Sequence, residues 1–137
     1  AYEKLIQDSG QIDLQILGLG RNGHIGFNEP GTSFDSITHV VKLTSSTRNA
    51  NAKFFGSLDS VPTQAISMGI STIMRSREIL LLVSGAEKST ALCRLIMGDI
   101  EEAFPASILK AHENVTIIAD QDALRELELK ELNFSWR

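Results

Sequence analysis

Cysteine, charge of one sign and long apolar runs are all scarce in this chain, and each scarcity excludes a class. The single cysteine, Cys93, leaves no internal disulfide. It sits in a helical pattern with Leu92, Leu95 and Ile96, where it reads as a small buried thiol rather than a reactive one. No stretch approaches the roughly 18 consecutive apolar residues of a membrane span, and nothing at the front resembles a secretory signal peptide. A soluble, cytoplasmic protein with no membrane partner is therefore predicted. Thirteen basic against 17 acidic residues leave a net charge of −4, with no long run of one sign. That balance argues against a disordered tail and an electrostatic nucleic-acid binder. His39 and His112 lack any H-E-x-x-H or Cys/His spacing, so no metal site is predicted.

What is present is enough for one globular domain and too little for two: 137 residues, 15.0 kDa, 42% apolar. The chain opens at Ala1 inside a helical pattern, with Tyr2, Leu5 and Ile6 on one face, Gly10 as a stop and no N-cap residue before them. This start suggests a piece of a longer chain.

The segment 13–20 is a short apolar run ending in glycines, as for a buried strand entering a tight turn. A loop rich in Gly, Asn and Pro follows over 21–36, then a β-branched strand over 38–43. Thr44, Ser45, Ser46 and Thr47 offer N-cap hydroxyls to a helix reaching Phe55. Beyond a connector bracketed by Gly56 and Pro62, a short extended segment is expected at 65–70 and a helical turn at 71–75. The continuously apolar run 79–83 predicts a strand covered on both faces of a parallel sheet. A helix over 86–97, a helical turn opened by Pro105, a strand over 115–119 and a terminal helix over 120–132 complete the reading. Alternating strands and helices predict an α/β fold: three layers, a mainly parallel Rossmann-like sheet, and helices on both faces. Ligands of such sheets collect at the carboxyl ends of strands, which directs attention to the loops after Leu19 and Val83.

Gly18, Gly20 and Gly23 match the G-x-G-x-x-G spacing of dinucleotide-binding turns, but the context fails. The motif runs into Gly26, Asn28, Pro30 and Gly31 instead of a helix, and no acidic residue lies between Asp35 and Asp59 to hold a ribose. NAD and FAD are therefore not expected. A glycine-rich turn still brings backbone N–H groups close to a ligand, though a plain strand-end turn explains the same residues. His24 and Glu29, five residues apart on this loop, suit a proton carrier and a group that orients it. From the residues alone, a merely solvated histidine stays open.

The run from Leu17 to Gly31, LGLGRNGHIGFNEPG, resembles the signature of glucosamine-6-phosphate deaminases, also called glucosamine-6-phosphate isomerases. The likeness continues through TRNANAKFF (47–55), Val61-Pro62, Ser67-Met68-Gly69 and LVSGAEK (82–88), up to about Asp120. It implies conversion of glucosamine 6-phosphate and water to fructose 6-phosphate and ammonia, with no metal or organic cofactor. His24 would move a proton from the anomeric hydroxyl to the ring oxygen, with Glu29 orienting it and offsetting its transient charge. Position 22 departs from the motif's Asp form: Asn22 can fix the imidazole tautomer but cannot stabilise an imidazolium as a carboxylate does.

By the same resemblance Lys53, Lys88 and Gly23 are substrate-binding. Lys88 would share a sugar phosphate with helix N–H groups after Ser84-Gly85. The positions matching an allosteric site of some relatives are His39 and Val41, which carry no fixed positive charge, so that regulation is expected to be absent. The family's C2-proton base and phosphate loop belong to an N-terminal part of the fold and are not found here. The 137 residues are therefore expected to be the C-terminal portion of a larger domain, one that requires its N-terminal part. Two alternatives stand beside this reading: a 6-phosphogluconolactonase-like hydrolase, and a sugar-phosphate-binding fragment without turnover. Monomer and larger assembly both remain open.

Overall fold

A computed structural model describes residues 1–129. The elements are α1 (Tyr2–Asp8), β1 (Leu14–Gly18), β2 (His39–Lys42), α2 (Ser45–Phe55), β3 (Gln64–Ser67), α3 (Ile70–Met74), β4 (Glu78–Val83), α4 (Ser89–Met97), β5 (Val115–Ala119) and α5 (Gln121–Leu129). Two 3-10 turns, Ala86–Lys88 and Pro105–Ala111, flank α4. The expected helix over 86–97 thus opens as a 3-10 turn before it becomes α-helical. Residues 130–132 of the expected terminal helix lie outside the described residues.

Three strands form a parallel sheet in the order β1-β4-β5, with Leu17 opposite Leu81 and Leu81 opposite Ile117. Alternation along each strand decides what is covered. Leu17, Ile79, Leu81 and Val83 point into a core shared with Ala91, Leu92, Leu95, Phe104, Leu109, Ala123 and Leu127, and Cys93 is buried there too. The opposite face carries Leu14, Ile16, Leu82 and Ile118, exposed by between 45% (Leu82) and 57% (Ile16). The α/β class and the parallel sheet match the sequence reading. Leu82, read as doubly covered, lies on the open face.

The β-branched segment expected at 38–43 is strand β2. It pairs antiparallel with β3 in a separate two-stranded ribbon, His39 opposite Ser67 and Lys42 opposite Gln64, and does not join the parallel sheet.

Although α1 buries none of its own residues, Glu3 ties it down. Its Oε1 accepts from the Thr38 amide (2.8 Å), the Thr38 hydroxyl (2.6 Å) and the Thr72 hydroxyl (2.7 Å), while Oε2 accepts from Arg75 Nη2 (2.6 Å). Burial opposes the charge, but the Thr38 and Thr72 hydrogen bonds and the Arg75 guanidinium prevail and hold the carboxyl at about 2. A depressed folded-state value stabilises the fold fully above the unfolded carboxyl's value, about 4.5, and the gain disappears as pH falls toward 2. After screening at this part-exposed site the contribution is on the order of 1–2 kcal/mol. Urea unfolding of Glu3→Gln should therefore show that deficit at pH 7 and roughly half of it or less at pH 3; an equal deficit at both would contradict the linkage.

Candidate active site

The loop after β1 is folded back on itself by short-range bonds. The Gly23 amide donates to Gly20 O (3.0 Å), and the Gly20 amide to His24 O (2.9 Å). Gly23 has φ +86, and a Cβ there would lie 2.3 Å from the Phe104 ring, so the position requires glycine twice over. Further along, Ile25 is fully buried, and the Asn28 amide group donates to Ile25 O and Met68 O. These anchors fix the turn over the carboxyl end of β1.

Within it three side chains form a relay. Glu29 Oε2 accepts from Asn22 Nδ2 (2.7 Å), and Asn22 Oδ1 lies 2.7 Å from His24 Nδ1. A carboxylate only accepts, so the Asn22 amide must turn its NH₂ to Glu29 and its carbonyl to His24. A carbonyl also only accepts, so neutral His24 carries its proton on Nδ1. Nε2 keeps the lone pair and has no partner among the described residues. Glu29 stands 3.7 Å from Nδ1, too far for a good hydrogen bond and close enough to act on its charge.

Burial, the largest influence, pushes His24 below its ordinary value; Glu29 pulls it up and Lys88 pushes it down, leaving it lowered. The imidazole is accordingly neutral at neutral pH. Burial works against the Glu29 charge, but hydrogen bonds from Thr47 and Asn22, the nearby His24 and a Thr44 contact more than compensate, and Glu29 stays below its ordinary value.

His24 and Asn22 line a cleft of about 780 Å³ with Arg21, Ser46, Thr47, Asn49, Lys53, Glu87 and Lys88. A second depression, about 420 Å³, runs along β1 past Ser67 and Met68 and shares His24 and Lys88 with the first. The structure thus gathers Asn22, His24, Lys53 and Lys88 about one space, with Glu29 behind Asn22. Gly23 does not line the cleft; its amide is engaged within the turn. Lys53 extends from the last turn of α2, with Nζ 5.0 Å from the Phe54 ring centroid.

Lys88 differs in detail from expectation. Its Nζ donates to Leu19 O (2.8 Å), and the Gly85 amide, the first N–H of that turn, is taken by Asp120. Burial first and Arg21 second lower the Lys88 ammonium, partly offset by Glu87.

Arg21, Thr47 and Asp120 escaped the sequence reading as site residues. Asp120 also accepts from Ser84 Oγ (2.6 Å) and from the Ala123 amide (2.8 Å), so one N-capping carboxylate holds the turn that carries Lys88. An Asp directly before a helical run signals the cap; nothing in the sequence signals its reach across to Ser84. Among the described residues no group of three or more His, Cys, Asp or Glu is placed to hold a metal ion, and no helix is long and apolar enough to cross a membrane.

The family model described as glucosamine-6-phosphate isomerases/6-phosphogluconolactonase matches residues 1–118. The chain is 65% identical over 127 residues to the glucosamine-6-phosphate deaminase of Oceanobacillus iheyensis, covering 93% of this chain and 51% of that protein. It is 57% identical over 122 residues to glucosamine-6-phosphate deaminase 1 of Bacillus subtilis, covering 89% and 50%. Among solved structures, a monomeric glucosamine-6-phosphate deaminase superposes with a TM-score of 0.89 at 55% identity, covering 91% of this chain and 52% of that one. The 6-phosphogluconolactonase of Trypanosoma brucei, at 23% identity and a TM-score of 0.65, shares the fold. The chain spans about half the length of the curated relatives it matches.

Proposed function

This chain belongs to the glucosamine-6-phosphate isomerase/6-phosphogluconolactonase family, and from that premise we propose that it supplies the sugar-ring-opening half of a glucosamine-6-phosphate deaminase. The observation that carries the reading is the Glu29–Asn22–His24 relay, which leaves a neutral imidazole with an open Nε2 beside two lysines.

The reaction begins with a closed pyranose. His24 Nε2 takes the proton of the anomeric hydroxyl as the bond from C1 to the ring oxygen breaks. The imidazolium then returns that proton to the ring oxygen, leaving an open aldehyde sugar and a neutral imidazole. While His24 is charged, Glu29 at 3.7 Å stabilises it and Asn22 keeps the ring in place. Lys53 and Lys88 are the groups for the sugar's phosphate, and no metal or organic cofactor is called for. The product pair is fructose 6-phosphate and ammonia.

The step that follows, removal of the C2 proton, needs a base outside this chain. We assign it to the remainder of a larger domain of which residues 1–137 are the C-terminal portion, acting in the cytoplasm on a small sugar phosphate. The open apolar face supports this: covering Leu14, Ile16, Leu82 and Ile118 is worth about 1 kcal/mol for each half-exposed side chain. Among the described residues β1 is an edge strand, and it borders the second depression.

Ammonia release from glucosamine 6-phosphate, measured for the chain alone and for the chain completed at its N-terminal side to the relatives' length, tests the reading. The completed protein should release ammonia and the chain alone should not. Hydrolysis of 6-phosphogluconolactone without ammonia release would favour the lactonase alternative, and sugar-phosphate binding without turnover would favour a binding module.

A further inference from the structure

We infer that Thr47 is a positioning residue whose hydroxyl pins one carboxylate oxygen of Glu29, so that the other is fixed toward Asn22 and, through it, His24. The inference rests on the ring-opening reading for its purpose, but its geometry is independent of it. Thr47 Oγ1 donates to Glu29 Oε1 at 2.6 Å, while Oε2 takes Asn22 at 2.7 Å. The two oxygens thus have separate duties. A carboxylate rotates easily about its terminal torsion, and with only Oε2 held the direction of the Asn22 bond would be loose.

The helix α2 places Thr47 for this. Thr44 is the N-cap, its Oγ accepting from the Thr47 amide (3.2 Å), and Thr47 occupies the third helical position. That position is the one from which a Glu or Gln reaches back to the cap in a capping box. Here a threonine stands there instead, buried to 8% exposure, and its hydroxyl is turned outward to a carboxylate from another segment. The Thr44 hydroxyl lies 3.0 Å from Thr47 Oγ1 and 3.3 Å from Glu29 Oε1. Donated to Thr47, its proton completes a chain of hydroxyls ending on the carboxylate, in which each bond polarises the next. The first turn of α2 contains no acidic residue, so Glu29 is the negative charge that its N-terminal dipole meets. Because Lys53 rides on the same helix, one element sets both the relay and a cation of the cleft.

A purely structural threonine would act by holding the helix end together, and Thr44 separates the two roles. The test is an NMR titration of the completed protein, following the Glu29 side-chain carboxyl carbon and the His24 ring nitrogens in Thr47→Val, Thr47→Ser and Thr44→Ala. Thr47→Val should raise the Glu29 midpoint by about one pH unit, a roughly tenfold change in acidity, and mix the His24 tautomers. Thr47→Ser, which keeps the hydroxyl, should stay close to the wild type. Thr44→Ala frays the same helix end but loses only the longer contact, and should move Glu29 less than Thr47→Val.

An unchanged Glu29 midpoint and tautomer in Thr47→Val, an equal shift in Thr44→Ala, or no rescue by Thr47→Ser would each overturn the inference. Thr47→Ala replaces Thr47→Val, with the same expectations, if the valine variant does not fold. In the completed protein, Thr47→Val should lower kcat about tenfold with KM unchanged. If the wild type released no ammonia while the NMR shifts appeared, the proposed function would fail and the positioning role would stand. Ammonia release from the wild type with no NMR shift in the variants would mean the reverse.

Discussion

Replacing His24 by Gln in the completed protein should slow turnover of closed-ring glucosamine 6-phosphate by roughly 10²- to 10⁴-fold, the range for loss of a positioned general acid–base group. KM should move by less than about threefold, because the proposed function assigns the phosphate to Lys53 and Lys88 and not to the imidazole. Glutamine fills similar space and can hydrogen-bond to Asn22, so the surrounding turn is retained. It has no lone pair of comparable basicity to take the anomeric proton and no proton to return. Steady-state kinetics check this directly. Losses of similar size in binding and in turnover would contradict the ring-opening role.

The second large effect comes from a residue with no functional group. A Cβ added at Gly20 would lie 2.2 Å from His24 Nδ1 and 2.4 Å from Cε1 and Cγ, inside the imidazole itself. Gly20 is not in the left-handed region, so alanine meets no positive-φ strain there and its nearest collision is with the ring. In Gly20→Ala the imidazole must swing away, losing the 2.7 Å contact with Asn22 Oδ1 and with it the enforced tautomer. Activity should drop by two orders of magnitude or more, approaching that of the His24 variant, while thermal stability changes little.

Gly23→Ala is the control. There φ is +86 and the clash is with the buried Phe104 ring, so both backbone strain and overpacking apply, and the loss should be of stability, about 2–4 kcal/mol. Calorimetry beside kinetics separates the two. A Gly20→Ala protein that melts as early as Gly23→Ala, or that keeps wild-type turnover, would contradict the packing of imidazole on glycine.

The sequence was most informative where a pattern is local. The run 115–119 is β5 residue for residue, and Thr44 caps the helix that ends at Phe55. The glycine-rich loop announced a candidate site because histidine, carboxylate and amide lie within eight residues of one another. Pairing partners were less legible. The β-branched content of 38–43 marks a strand but not its neighbour, and β2 found β3 instead of the parallel sheet. Likewise an unbroken apolar run such as 79–83 states that both faces want cover, not that both are covered by these residues; Leu82 lies open.

Side-chain contacts over long sequence separations were invisible for the same reason. Thr47 reaches Glu29 across 18 positions, and Asp120 reaches Ser84 across 36. Each has an ordinary local signature, a helix-start hydroxyl or a capping carboxylate, that conceals its second partner. Lys88 shows the converse: the sequence placed it beside free helix amides, and the fold gives the first of those amides to Asp120.

Under the proposed function the Asn22-held imidazole opens the sugar ring. The α and β anomers of glucosamine 6-phosphate interconvert only through the open chain, so their exchange, measured by NMR magnetisation transfer before the substrate is consumed, cannot be accelerated without that step. The completed wild-type protein should accelerate exchange far above the buffer rate at neutral pH, and His24→Gln should return it to the buffer rate. Equal acceleration by wild type and His24→Gln, or ammonia release by the wild type with no acceleration of exchange, would contradict the assignment.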